Sequence, residues 1–224
     1  MPHDGMTTAG IRDVTRTLLA AAVAALALAP AAFGGGGGGA HAQELKTATF
    51  AGGCFWCVEA DFDHVPGVVE TVSGYTGGTV ADPSYEQVSA GGTGHREAVR
   101  IAYDPSRVSY EELLTAFWHS VDPTDPGGQF CDRGESYQTA IFVHDEEQRR
   151  AAEASKAAAR EALGATIVTP IEAAGRFYPA EDDHQGYYEK NPLRYRYYRW
   201  SCGRDARIEQ VWGERAFEGI PGHG

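Results

Sequence analysis

Beyond residue 43 the hydrophobic pattern switches repeatedly between two periods, and the order of those switches restricts the fold more than any other feature of the sequence. Short apolar or alternating runs bounded by Gly and Pro predict strands at residues 47–51, 68–75, 97–103, 139–143 and 167–171. Helical spacing predicts helices at 55–65, from the cap at Ser109 to about Val121, and over the alanine-rich stretch 146–163, which Gly164 ends. Ser109 with Glu112 three residues on is a capping box. The stretches 77–94 and 122–135 read as loops. Strands and helices mix without a strict strand–helix–strand rhythm, so the sequence predicts an α+β two-layer sandwich and not a doubly wound sheet. There is no internal repeat, and Pro/Gly clusters recur at loop spacing, so residues 43–224 read as one domain.

Ahead of this domain lies an apolar run, residues 18–33, preceded by Arg12 and Arg16 and broken by Pro30. It is short for a membrane span. With the glycine tract 34–39 and Ala40-His41-Ala42 behind it, the segment 1–42 reads as a secretory signal cleaved before Gln43. The alternative is an uncleaved N-terminal membrane anchor. Both readings export the domain, with the periplasm as the expected compartment. Nineteen Lys and Arg face 31 Asp and Glu, a net charge of −12. A surface that acidic repels phosphate backbones, so no nucleic-acid partner is expected. A monomer is the default expectation.

Four cysteines, Cys54, Cys57, Cys131 and Cys202, are too few to staple a chain of this length and point to chemistry instead. Cys54 follows Gly52-Gly53 where the strand pattern gives way to the helix pattern. There its sulfur would lie near unpaired backbone N–H groups at the positive end of a helix dipole, which favours the thiolate. Cys54 is therefore the candidate nucleophile, against the plainer reading of a small buried hydrophobe. Phe55 and Trp56 are placed to line an apolar pocket beside it. Cys54 and Cys57 also form a C-x-x-C. Zinc would need a second pair or two spaced histidines; Cys131 and Cys202 lie 71 residues apart and no such histidines exist, so no metal is expected. A thioredoxin-like redox motif stays open, although this strand order does not supply the usual context.

The string Gly53-Cys54-Phe55-Trp56, followed by the stretch from Gly67 to Tyr75 and on to Gly78, resembles the A-type peptide-methionine sulfoxide reductases. The likeness continues through Pro83-Ser84-Tyr85, Gly94-His95-Arg96-Glu97, Tyr103-Asp104-Pro105, Phe130-Cys131-Asp132-Arg133-Gly134, Tyr137 and Ala180-Glu181-Asp182-Asp183-His184-Gln185. The pieces stand in family order, and the likeness spans roughly residues 47–213. The resemblance implies a mixed sheet with a ferredoxin-like core. It also implies reduction of the S epimer of methionine sulfoxide, free or in proteins, with no bound cofactor and with a thioredoxin-like dithiol as electron donor.

By resemblance, Cys54 attacks the sulfoxide sulfur, Glu97 supplies the proton, Tyr85 and Tyr137 hold the oxygen, Phe55 and Trp56 hold the S-methyl group, and Asp132 orients the substrate. A neutral Glu97 requires a pKa raised by burial. Attack leaves a sulfenic acid that condenses with a second thiol. Many relatives keep that thiol in a C-terminal glycine-rich tail, but residues 213–224 contain no cysteine. Cys202, expected on a mobile segment beside Gly203, ranks first as the resolving residue, then Cys57, one helical turn from Cys54, then Cys131 beside Asp132. A Cys-His-Asp triad using His184 and Asp183 is set aside, because the resemblance makes that segment structural support. For an exported enzyme, electrons from the cytosol require a membrane relay and an extracytoplasmic thioredoxin-like partner.

Overall fold

The computed structural model describes residues 44–222. The apolar run, the signal-type reading and the cleavage point at 42/43 lie outside them. In chain order the strands are β1 (Lys46–Ala51), β2 (Val68–Thr76), β3 (Arg96–Tyr103), β4 (Gly128–Gln129), β5 (Asp132–Arg133), β6 (Ala140–Val143), β7 (Ile171–Ala173) and β8 (Tyr178–Pro179). The helices are α1 (Phe55–Asp63), α2 (Tyr85–Ala90), α3 (Tyr110–Trp118), α4 (Glu146–Leu163), α5 (Tyr187–Lys190), α6 (Pro192–Ser201) and α7 (Arg204–Trp212). No helix among the described residues is long and apolar enough to cross a membrane.

The main sheet runs β7-β6-β1-β3-β2-β8, antiparallel throughout except for the parallel β6–β7 pair. Its centre, β6-β1-β3-β2, has α1 between β1 and β2 and the second helical connection between β3 and β6. This is the ferredoxin-like arrangement that the resemblance implied. Alternation divides the two faces. Phe50, Val99, Ile101, Ile141 and Val143 face the helices, where the Phe50 ring stacks on Phe62 of α1 at 5.3 Å and on Phe117 of α3 at 5.0 Å. Ala51, Ala98, Ala140 and Phe142 form a smaller cluster on the other face, packed by Phe177, over which Arg100 lies at 4.8 Å.

Local chemistry sets the helix ends. Both oxygens of the Ser109–Glu112 capping box are engaged, and Asp145 caps α4, which closes on Gly164 in the left-handed conformation. Helix α2 falls inside the stretch 77–94 read as loop; the Ser84–Gln87 capping box starts it among flanking glycines that mask its period. Strand β7 begins at residue 171, where the predicted strand 167–171 ended. Pro170 has no N–H to give a ladder, and the Val168 N–H is already bonded to the Pro123 carbonyl at 2.9 Å. The expectation that Cys202 rides a mobile segment is also corrected. Cys202 closes α6, its N–H bonded to the Tyr198 carbonyl at 2.9 Å, and α7 buries Arg204, Ile208 and Trp212 directly behind it.

Candidate active site

β1 delivers the chain to Gly52-Gly53, and Gly53 has φ +86°. A Cβ there would stand 2.6 Å from Gln129 Cβ, so only glycine fits both the angle and the space. The turn sets Cys54 at the N-cap of α1, its carbonyl accepting from the N–H groups of Cys57 at 3.1 Å and Val58 at 3.4 Å. The Arg204 guanidinium underlies the turn, donating to the carbonyls of Gly52 at 3.1 Å and Ser120 at 2.9 Å.

Cys54 is only 6% exposed, and the helix start does not prevail as expected. Burial, reinforced by the hydrogen bond with Cys57, pushes the Cys54 thiol well up. Cys57 is shifted the other way, by that same hydrogen bond and by the cations Arg204 and Arg199, despite its own burial. The two thiols, one helical turn apart, are thus shifted in opposite directions. Asp61 lies between the two cations, 2.9 Å from Arg199 and 3.8 Å from Arg204.

Glu97 reaches the same spot from β3. It is 1% exposed, and burial lifts its carboxyl to about 8 against the opposing pull of the Phe55 N–H, which donates to Oε2 at 3.0 Å. At neutral pH it carries a proton. The phenols of Tyr85, the first residue of α2, and Tyr137, in the single turn Glu135–Tyr137, share a hydrogen bond and both feel the Glu97 charge. Burial raises both, so both remain O–H donors. The Phe55 ring packs on Tyr85 at 6.4 Å and Tyr75 at 5.9 Å, while Trp56 stacks flat on Tyr187 at 3.7 Å. Asp132, on β5, accepts from the Tyr198 hydroxyl at 2.5 Å and acts electrostatically on both Cys54 and Glu97. The structure thus gathers Cys54, Glu97, Tyr85, Tyr137, Phe55, Trp56 and Asp132 into one site.

Behind them the segment 181–186 works as a brace. Glu181 accepts from the Tyr75 hydroxyl at 2.8 Å and the Tyr85 N–H at 2.9 Å, and Gln185 bonds both backbone groups of Ser73 at 2.9 Å. His184 Nδ1 accepts the Trp56 indole N–H at 3.1 Å and its ring lies 4.3 Å from Tyr85. It positions the pocket wall and forms no triad with Cys54. The sequence reading did not single out Tyr75, Tyr187, Tyr198 or Arg204. The signal for the last three was the aromatic and basic density of residues 187–204, which has no helical apolar period.

Cys131 and Cys202 are joined in a disulfide, whereas Cys54 and Cys57 are free. The ligand-type atoms of Cys131, Asp132 and Cys202 lie within 4.8 Å of one another, but bonded sulfurs offer no thiolate to an ion.

The profile of the peptide methionine sulfoxide reductase family matches residues 46–216. The chain is 55% identical over 181 residues to peptide methionine sulfoxide reductase MsrA 2 of Rhizobium meliloti (strain 1021), covering 81% of this chain and 90% of the relative. It is 51% identical to the MsrA of Bacillus licheniformis, covering 78% and 97%. Among solved structures, methionine sulfoxide reductase A of Corynebacterium diphtheriae superposes with TM-score 0.60 at 34% identity, over 66% of this chain and 76% of that one. Reduced Mxr1 of Saccharomyces cerevisiae gives 0.62 at 31%, over 66% and 87%. On fold, site and sequence together, the chain belongs to the A-type peptide methionine sulfoxide reductases, oxidoreductases that return methionine sulfoxide to methionine.

Proposed function

We propose that the chain reduces the S epimer of methionine sulfoxide, free or within proteins, by nucleophilic attack of Cys54 and proton delivery from Glu97. The proton of Cys54 passes along its hydrogen bond to Cys57, leaving a thiolate beside the sulfoxide sulfur. As the new S–S contact forms, the oxygen takes the Glu97 proton while Tyr85 and Tyr137 donate to it. The hydroxyl then passes from the substrate sulfur to the Cys54 sulfur as the S–S and substrate S–O bonds break, so that methionine leaves, Cys54 becomes a sulfenic acid and Glu97 is left as the carboxylate. Cys57 condenses with it, forming the Cys54–Cys57 disulfide and releasing water. A thioredoxin-like dithiol returns both sulfurs to thiols and departs as its own disulfide. Phe55 and Trp56 hold the S-methyl group, and Asp132 orients the substrate.

The observation that carries this reading is Glu97, buried and protonated near neutrality, hydrogen-bonded to the first N–H of the helix that Cys54 caps. The choice of Cys57 as resolving thiol, ahead of Cys202 and Cys131, rests on its being the free sulfur hydrogen-bonded to Cys54 while the other two are bonded together. The test is a dithiothreitol-driven assay of residues 43–224 on separated epimers of a blocked methionine sulfoxide. Turnover of the S epimer alone, lost in Cys54→Ser, is the expected result. Turnover of disulfide substrates with none of either epimer would transfer the chain to dithiol exchange.

We further propose that the domain works outside the cytoplasm, repairing oxidised envelope proteins with electrons relayed across the membrane to a thioredoxin-like partner. The apolar run before Ala40-His41-Ala42 supports this. So does a disulfide at a half-exposed position, a bond that persists in oxidising compartments. N-terminal sequencing of the protein recovered from a periplasmic fraction should begin at Gln43; recovery of the full chain in the cytosol would refute it.

A further inference from the structure

Asp132 sits on a hairpin too small to hold itself. Strands β4 and β5 pair only Gly128 with Arg133 and Gln129 with Asp132, and a two-stranded hairpin is marginal in water even when longer. Phe130 at its tip adopts φ +57°, an unfavourable angle for a bulky residue. The base is secured by the Arg133–Asp125 ion pair and by buried Gln129, whose side chain bonds both backbone groups of Asp122 at 2.9 and 2.8 Å. The tip is secured from elsewhere, by the last turn of α6. Tyr198 donates to Asp132 Oδ2 at 2.5 Å, and one turn later Cys202 is bonded to Cys131, the residue next to Asp132. The Cys131 N–H also points at Cys202 Sγ at 3.1 Å, and that sulfur lies 3.8 Å from Asp132 Oδ2. The Tyr198 ring meets the edge of Trp56 at 5.7 Å, so the same turn of α6 touches the pocket wall.

We propose that the Cys131–Cys202 disulfide and Tyr198 form a clamp that fixes Asp132 in the substrate pocket, so that the redox state of this pair sets substrate affinity without carrying the electrons of the reaction. Cys131, Cys202 and Tyr198 are positioning residues, acting through Asp132. The clamp rests on the reading of Asp132 as the group that orients the substrate. It opens when a dithiol attacks one of its sulfurs through a mixed disulfide. Two electrons and two protons end on Cys131 and Cys202, and the donor leaves oxidised. The hairpin tip then loses its covalent tether to α6, leaving the Tyr198 hydrogen bond to hold Asp132 from that helix. In an oxidising environment, where methionine oxidation is also fastest, the clamp is closed and the substrate site is preorganised.

Two measurements test this. In the first, a blocked methionine sulfoxide binds the Cys54→Ser protein, followed by tryptophan fluorescence, in the disulfide form, in the dithiol-reduced form and with Cys131→Ser/Cys202→Ser added. The disulfide form should bind about tenfold more tightly than the other two, and Tyr198→Phe in the disulfide form should lose a similar factor, as expected for a hydrogen bond to a charged group. Circular dichroism confirms that each form is folded. Equal dissociation constants across the forms would sink the clamp alone. Absence of binding in every form would sink the reading of Asp132 and the clamp with it. In the second, fully reduced protein carrying Cys54 is freed of reductant and mixed with excess sulfoxide. One methionine per chain, with Cys131 and Cys202 recovered as thiols, is the expected count. Two per chain would put the second pair on the electron path and overturn the proposal.

Discussion

Cys54 and Cys57 show how two identical side chains one helical turn apart are given different work. Burial holds the Cys54 proton, while Arg204 and Arg199 draw charge onto Cys57. Cys57→Ser should therefore still form one methionine per chain in a single turnover but stop at the sulfenic acid, which a dimedone-type probe would trap. Undiminished steady-state turnover in that variant would pass the resolving role to another thiol. Replacing the acid is costlier: Glu97→Gln should lower the rate of methionine formation by about 10²- to 10⁴-fold, the usual worth of a positioned proton donor, with binding little changed. The chemistry-bearing residues were legible because they lie in ordered motifs, Gly53-Cys54-Phe55-Trp56 foremost. The upward shift of the Cys54 thiol was not, since a helix start is visible in a sequence while groups that act on the sulfur, Glu97 of β3, Tyr85 of α2 and Asp132 of β5, lie far along the chain. Nor was the Cys131–Cys202 bond, because 71 residues of chain separate its halves.

At the scale of elements, the junction between β1 and α1 is the part that tolerates least. Gly53→Ala would force a Cβ against Gln129 at a left-handed angle. It should cost about 1–3 kcal/mol of stability by thermal unfolding, the price of such strain, and shift Cys54 enough to lower kcat more than KM rises. A variant with wild-type kcat would show that the turn is not what aims the sulfur. Ser109→Ala removes the α3 cap and should cost about 1 kcal/mol with kcat unaffected, since Ser109 lies with Lys46 and Tyr103 at the opposite end of β1 from Cys54. Elements with strong punctuation, such as α3 and α4, were read from the sequence to within a few residues. The hidden ones share a physical cause. Helix α2 is one and a half turns among glycines, and α6 exposes Leu193, Tyr197 and Trp200 while burying Arg199, reversing the polarity that a helical period depends on, while α7 opens on the buried Arg204.

Across the whole molecule, two buried carboxyls link folding to pH. Glu97, raised to about 8 by burial, and Glu59, raised to about 7 by burial and the Asp63 charge against the opposing pull of the Gly186 N–H that it accepts at 2.9 Å, both bind a proton more tightly in the fold than in the open chain. Their contribution is full below the ordinary carboxyl value of 4.5 and is lost as pH rises through 7 and then 8. Thermal midpoints should fall between pH 5 and 9, and Glu97→Gln should flatten the upper part of that fall. Arg204→Met strips the donors from the Gly52 and Ser120 carbonyls and a cation from beside Asp61, and should destabilise by about 3–5 kcal/mol while slowing disulfide formation at Cys57. These effects meet in the proton that Glu97 carries, which the fold keeps in place and the reaction spends. The most direct test is the pH profile of single-turnover methionine formation from the S epimer. The rate should fall tenfold per pH unit above about 8 in the wild type, with that limb missing in Glu97→Gln. A wild-type rate that stays level or rises from pH 7 to 10 would contradict Glu97 as the acid.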